Sequence, residues 1–263
     1  MLNKEVLESI FEKLLSQAKK SYDEFNAADG KIGDGDLGVT ILNGLEEINN
    51  NKANFKNDMG TNFMLCSQAF VKKSGSSFGT LIAFSFMNIS KNLKGKKECN
   101  HEDITGIFKT ALKTIQERGK TKLGDKTIAD SLDLIIKKLK DNTNYSEVIK
   151  SSTKQSLEDF KGKKILIGRA RMFEDKTKDL DDPGMLAFNK LEDHNLKKML
   201  DKQLMVMVNS DDPAYFGGYL NQNLIETQAA LNLSKDNIKT LLINSFKSSF
   251  LSEEIKKDWI NKI

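Results

Sequence analysis

The 263-residue chain has little proline, cysteine, histidine or tryptophan: two, two, two and one residue respectively. With only Pro183 and Pro213 to break them, many uninterrupted helices are expected. The cysteines, Cys66 and Cys99, make neither a CxxC pair nor a metal-binding spacing, so a reducing, cytoplasmic setting is expected. The histidines, His101 and His194, include no His-x-His pair. No apolar run is long enough to span a membrane. Lys4, Glu5, Glu8 and Glu12 interrupt the apolar residues of the N-terminus, unlike a signal peptide. An excess of one charge is also missing. The formal net charge is +4, spread over 41 basic and 37 acidic residues, so no nucleic-acid partner is expected. The remainder, 38% hydrophobic and 30% charged, fits a soluble globular protein of one large domain or two small ones.

The stretch that organises the chain is Asp29-Gly-Lys-Ile-Gly-Asp-Gly-Asp-Leu-Gly38. Asp29, Asp34 and Asp36 crowd three carboxylates together, and such groups repel unless a cation sits among them. Hard oxygen donors of this kind suit Mg²⁺, which also binds substrate phosphates. Gly30, Gly33, Gly35 and Gly38 allow the tight backbone needed to converge them. A calcium EF-hand fits poorly, because Thr40 stands where that loop requires a closing Glu. On composition alone, a solvated acidic turn fits equally well.

Helical spacing of apolar residues runs over 3–26 and resumes at Val39, Ile41, Leu42, Leu45 and Ile48, so the acidic loop joins two helices. Further helices are expected over 60–72, 81–89, 103–118, 128–139 and 145–157. Ser74-Gly-Ser-Ser-Phe-Gly-Thr80 precedes one of them, as phosphate-binding turns do and as plain helix connections also do. Gly124-Asp-Lys-Thr127 precedes another, where Asp125 or Thr127 would serve as N-cap. Gly168–Gly184 is polar, shows no helical pattern and carries Arg169, Arg171, Lys176 and Lys178. It reads either as a nucleotide lid or as a solvated loop. After Lys190 the pattern changes. Leu204-Met-Val-Met-Val208 alternates as a strand does, and helices are expected over 221–231, 235–246 and 252–260.

The first 190 or so residues resemble the DhaL family, the nucleotide-binding subunit or domain of dihydroxyacetone kinases. Four blocks carry the resemblance in the family's order: Asp29-x-x-Ile-Gly-Asp34-x-Asp36-x-Gly38; Ser74-Gly75 with Phe78-Gly79-Thr80; Gly124-Asp-Lys-Thr127 with Asp130; and Gly168-Arg-Ala170 leading to Asp182-Pro-Gly184. The resemblance implies an all-α fold, a barrel of about eight antiparallel helices over residues 1–192. It implies that Asp29, Asp34 and Asp36 hold two Mg²⁺ ions, which bind the phosphates of ADP or ATP. Gly38, Thr40, Ser74 and Gly75 would then lie at the phosphates, with Gly124 and Thr127 beside adenine and ribose. Arg169, Lys176, Asp182 and Gly184 would belong to the loop that closes over the nucleotide. A DhaK-like partner would hold the hydroxyketone, and a DhaM-like phosphotransferase protein would be the phosphodonor where ATP is not. Three positions depart from the family. Leu37 replaces the usual His. Val71, Lys72 and Lys73 replace a glycine-containing stretch. Glu174-Asp-Lys176 replaces Gly-Glu-Arg. Lys72, Lys73 and Lys176 would supply replacement charge. A non-catalytic, regulatory nucleotide-binding protein is the alternative.

Residues 193–263 resemble the C-terminal end of adenosine and adenine deaminases through His194–Asp201, Val208–Tyr219 and Asn244-Ser-Phe246 with Ser249-Phe250. These enzymes are (β/α)₈ barrels, so the segment implies a small α/β appendage: one strand followed by helices. Asp211 would correspond to a zinc ligand and Asp212 to a purine contact. Two histidines cannot complete the zinc set, so the segment is expected to be a fragment without deaminase chemistry.

Overall fold

The computed structural model describes residues 1–191, 205–208, 219–231 and 233–263. The chain divides into two compact units, Met1–Asp193 and His194–Ile263.

The first unit is helical. α1 (Lys4–Asp29), α2 (Leu37–Asn51), α3 (Met59–Lys73), α4 (Ser77–Asn92), α5 (His101–Gly119), α6 (Ile128–Lys138), α7 (Tyr145–Asp159) and α8 (Pro183–Leu191) follow in order, with a 3-10 segment at Arg169–Thr177. Each of the first three helices buries an apolar stripe: Leu7, Phe11, Ala18 and Phe25; Leu37, Ile41, Leu45 and Ile48; Met59, Phe63, Cys66 and Phe70. These spacings of three, four or seven residues keep one helix face inward. Packing follows chain order, from α1 on α2 through α7 on α8, and α8 returns to α1. The main core lies inside this circuit. There Phe86 sits within about 6 Å of Phe11, Phe63 and Phe70, measured between ring centroids. A cavity of about 210 Å³ remains beside these rings, lined by apolar side chains of α1–α4, α6 and α8.

Two elements differ from the sequence expectation. The polar stretch 168–184 contains 3-10 turns, and α8 begins inside it at Pro183. Proline suits the first helical position because its missing N–H would have had no partner there. The second difference is the strand expected over Leu204–Val208. Residues 205–208 form no β-ladder, and no strand occurs among the described residues. A strand needs a neighbour for its backbone groups; instead, Asn244 Nδ2 donates to the Val206 carbonyl at 2.9 Å.

The second unit contains α9 (Leu220–Leu231), α10 (Lys235–Lys247) and α11 (Glu253–Ile260) among its described residues. Ser234 and Asn237 cap α10 reciprocally. Val206, Leu233 and Leu241 form a small core, and Phe246 stacks on Trp259. His194, Asp201, Asp211 and Asp212 lie outside the described residues.

Candidate functional site

The acidic loop is built around Asp29, the last residue of α1. Its Oδ2 accepts hydrogen bonds from the N–H groups of Gly35 (2.7 Å) and Asp36 (3.1 Å), which folds the loop back on the helix end. Asn26, one turn earlier, accepts from the N–H groups of Gly38 and Val39 and so caps α2. The α1–α2 approach is so close here that a Cβ on Gly38 would lie 2.4 Å from the Tyr22 carbonyl oxygen. Only glycine fits that position.

One carboxylate oxygen from each of Asp29, Asp34 and Asp36 lies within 4.8 Å of the others. Oxygens around one Mg²⁺ ion, each at about 2.1 Å, are at most about 4.2 Å apart, so small side-chain rotations close the set. The charge state fits the same conclusion. Burial, then the neighbouring charges of Asp34 and Asp29, push the Asp36 carboxyl above its ordinary range. Arg169 pairs with Asp34 and partly offsets that repulsion. Hard oxygen donors crowded together with a guanidinium at their edge suit a divalent cation.

Parts of the second and fourth blocks lie against this loop or the helix that follows it. Thr40, in the first turn of α2, donates from Oγ1 to Ser76 Oγ at 2.8 Å, and Ser74 Oγ lies 3.4 Å from Ser76 Oγ. Ser76 is the N-cap of α4, accepting from Gly79 N–H. Sequence reasoning singled out Ser74 and Gly75 but passed over Ser76, whose signal was its position before a helix with small residues around it. Gly75 leaves open space where a side chain would be. Ile32 of the acidic loop packs with Ile165, Ala170, Phe173 and Leu180 of the later loop. Gly184, at the start of α8, faces the Phe78 ring of α4.

The third block is largely occupied with its own architecture. Thr127, rather than Asp125, is the N-cap of α6, and Asp130 accepts from the N–H groups of Thr127 and Gly124. Burial raises the Asp130 carboxyl above its ordinary range. Asp125 accepts from Lys122 N–H at 2.7 Å. Asp182 caps α8 through Met185 N–H at 2.9 Å, and burial pushes its carboxyl up to about 7.

The three departures have distinct structural outcomes. Leu37 is buried in the main apolar core, so the residue standing for histidine contributes packing. Lys72 and Lys73 do not serve as loose phosphate-binding charges. They converge on the buried Glu47 of α2, at 2.6 and 4.0 Å, and the Lys72 bond holds the Glu47 carboxyl below its ordinary range. Lys176 is exposed on the 3-10 segment. Glu174, beside it, takes φ 42° and ψ −118°.

The DAK2 domain model matches residues 31–194, more than half of the chain. The chain belongs to the DAK2 domain family. Its fold is that of the dihydroxyacetone kinase of C. freundii in the native form, with a TM-score of 0.58 and 20% identity over 77% of this chain and 36% of that one. The same kinase in complex with AMP-PNP and Mg²⁺ matches with a TM-score of 0.56 and 21% identity, over 75% of this chain and 34% of the other. The adenosine deaminase model matches residues 184–263, overlapping the end of the DAK2 match. The adenine deaminase of Wolinella succinogenes is 57% identical over 77 residues, and that of Acinetobacter baylyi 51% over 79. These stretches cover 29% and 30% of this chain. The chain spans about a quarter of the length of these deaminases and about a third of the solved kinases.

Proposed function

We propose that residues 1–192 form the nucleotide-binding part of a cytoplasmic kinase for small hydroxyketones. The observation that carries this reading is the three-carboxylate loop with the Arg169 loop packed against it and the Ser74–Ser76 turn bonded to Thr40 in the helix that follows. Asp29, Asp34 and Asp36 would hold Mg²⁺, as two ions by resemblance, and the metal would neutralise phosphate charge when bound. Gly38, Thr40, Ser74 and Gly75 would border the phosphates, and the N-terminus of α4, which follows Ser74 and Gly75, suits phosphate oxygens. Arg169 would exchange Asp34 for a phosphate oxygen, since its guanidinium matches either anion. Gly124, Thr127, Lys176, Asp182 and Gly184 would border the base, the ribose and the closing loop. The circuit of packing from α1 to α8 and back supports the helical-barrel architecture.

Phosphoryl transfer of this kind asks the protein for positioning and charge, with little covalent work. The acceptor would be held by a DhaK-like partner, and a DhaM-like phosphoprotein would replace ATP where the nucleotide stays bound. The C-terminal segment would contribute no deamination, because Asp211 and two histidines cannot make a zinc site. Calorimetric titration of the purified chain with ADP, with and without Mg²⁺, tests the reading. Saturable, Mg²⁺-dependent binding is expected, and absence of binding would overturn it. ADP retained through purification would point to a phosphoprotein donor, and freely exchanging ATP to direct kinase action.

A further inference from the structure

Lys126 is a lysine with 2% of its surface exposed, which is rare unless the charge is answered. Its Nζ donates to three backbone carbonyls: Lys163 at 2.9 Å, Thr177 at 3.1 Å and Leu180 at 2.7 Å. These use all three ammonium protons. Burial lowers the Lys126 ammonium below its ordinary range, and the charges of Asp181, Asp182 and Asp179 offset part of that without pairing directly with it. Its backbone takes φ 61°, in the left-handed region that side chains other than glycine seldom adopt.

The three acceptors lie at both ends of one loop, 163–180. Within and around that loop, Gly162 N–H donates to the Lys178 carbonyl, Ile165 N–H to Thr177 Oγ1, and Leu166 N–H to the Asp125 carbonyl. It carries Arg169 to Asp34 and covers Ile32 of the acidic loop. The Lys126 side chain therefore holds the loop that carries Arg169 through backbone carbonyls.

We propose that Lys126 is a positioning residue: its ammonium pins both ends of the 163–180 loop and thereby holds Arg169 against the acidic triad. The inference rests on the proposed nucleotide site for its consequence, but the pin itself is independent of any ligand. Removing the ammonium leaves three carbonyls facing a space shaped for a small cation. Bonds to a charged donor are among the stronger ones, and unpaired carbonyls are costly to leave.

The test compares K126A, K126M and the unaltered full-length chain by hydrogen exchange and by Mg·ADP titration. In K126A, amides of 163–180 are expected to exchange at least about tenfold faster while α1–α4 keep their protection. Methylammonium added to K126A should restore part of the protection; K126M, whose side chain fills the space, should not respond. Loop exchange unchanged in K126A, protection lost equally in α1–α4, or no response to methylammonium would each overturn the pin. If the variants do not fold, the unaltered chain decides: solvent-protected ammonium protons on Lys126, seen by ¹⁵N-edited NMR, are expected, and rapid exchange there overturns the proposal. If the unaltered chain binds no Mg·ADP, the nucleotide reading fails, while the exchange experiment still decides the pin.

Discussion

Glu174 shows how a single residue records a change from the family pattern. It stands where the DhaL resemblance has glycine, and it keeps a glycine-like backbone at φ 42° and ψ −118°. Its carbonyl still accepts from Thr177 Oγ1 at 2.7 Å, so the turn is held despite the side chain. Such a conformation costs a residue with Cβ about 1–3 kcal/mol. Glu174→Gly should therefore stabilise the helical unit by about 1 kcal/mol, because glycine's greater unfolded-state freedom takes back part of the relief. Urea unfolding would check this, and a lower midpoint for the variant would refute the strain. Asp34 makes a second case. Its pair with Arg169 is largely exposed, and exposed pairs contribute little to stability. Asp34→Asn should leave the unfolding midpoint nearly unchanged while weakening Mg·ADP binding more than about tenfold. Unaltered affinity by calorimetry would remove Asp34 from the ligand set.

At the scale of elements, the start of α8 couples stability to pH. Asp182 caps the helix, and burial raises its carboxyl from the ordinary aspartate value to about 7. The folded protein thus holds this proton more tightly than the unfolded chain. Its contribution is fully present below about pH 4 and is lost as pH rises through about 7. Asp182→Asn keeps an acceptor for Met185 N–H and removes the charge. The variant should be more stable than the unaltered chain at pH 8, by on the order of 1 kcal/mol, with the gap closing toward pH 4. Thermal melts at both pH values test this, and a gap independent of pH would contradict it. The first seven helices were legible because each carries a long apolar stripe. The eighth was not, because Pro183-Gly184 opens it inside a polar stretch and it has only nine residues.

For the whole molecule, the two compact units divide at Asp193 and His194, close to where the sequence changes character. A chain ending at Asp193 should remain soluble and helical and should bind Mg·ADP with the affinity of the full chain. Circular dichroism and calorimetry would establish this; an aggregated product would mean that the C-terminal unit completes the first one's core. The four blocks were readable as blocks, but periodicity could not tell a phosphate turn from a connector at Ser74–Thr80, nor a lid from a solvated loop at 168–184. The proximity of the first and fourth blocks depends on contacts between residues more than a hundred apart, such as Arg169 with Asp34 and Ile32 with Ile165.

What the sequence by itself determined was local. Apolar spacing set seven of the helices of the first unit and all three described helices of the second, and the closeness of three aspartates in eight residues set the acidic cluster. The motif order identified the family. Tertiary structure decided what each polar residue is used for. Lys72 and Lys73, free charges in the sequence, are committed to Glu47. Leu37, a gap in the site motif, is core. Lys126, one polar residue in a turn, is buried against three carbonyls of a loop that begins 37 residues later. The reason is physical: helix formation depends on side chains three and four residues apart. A buried charge depends on whichever backbone groups the fold brings within 3 Å of it, and no local pattern encodes those.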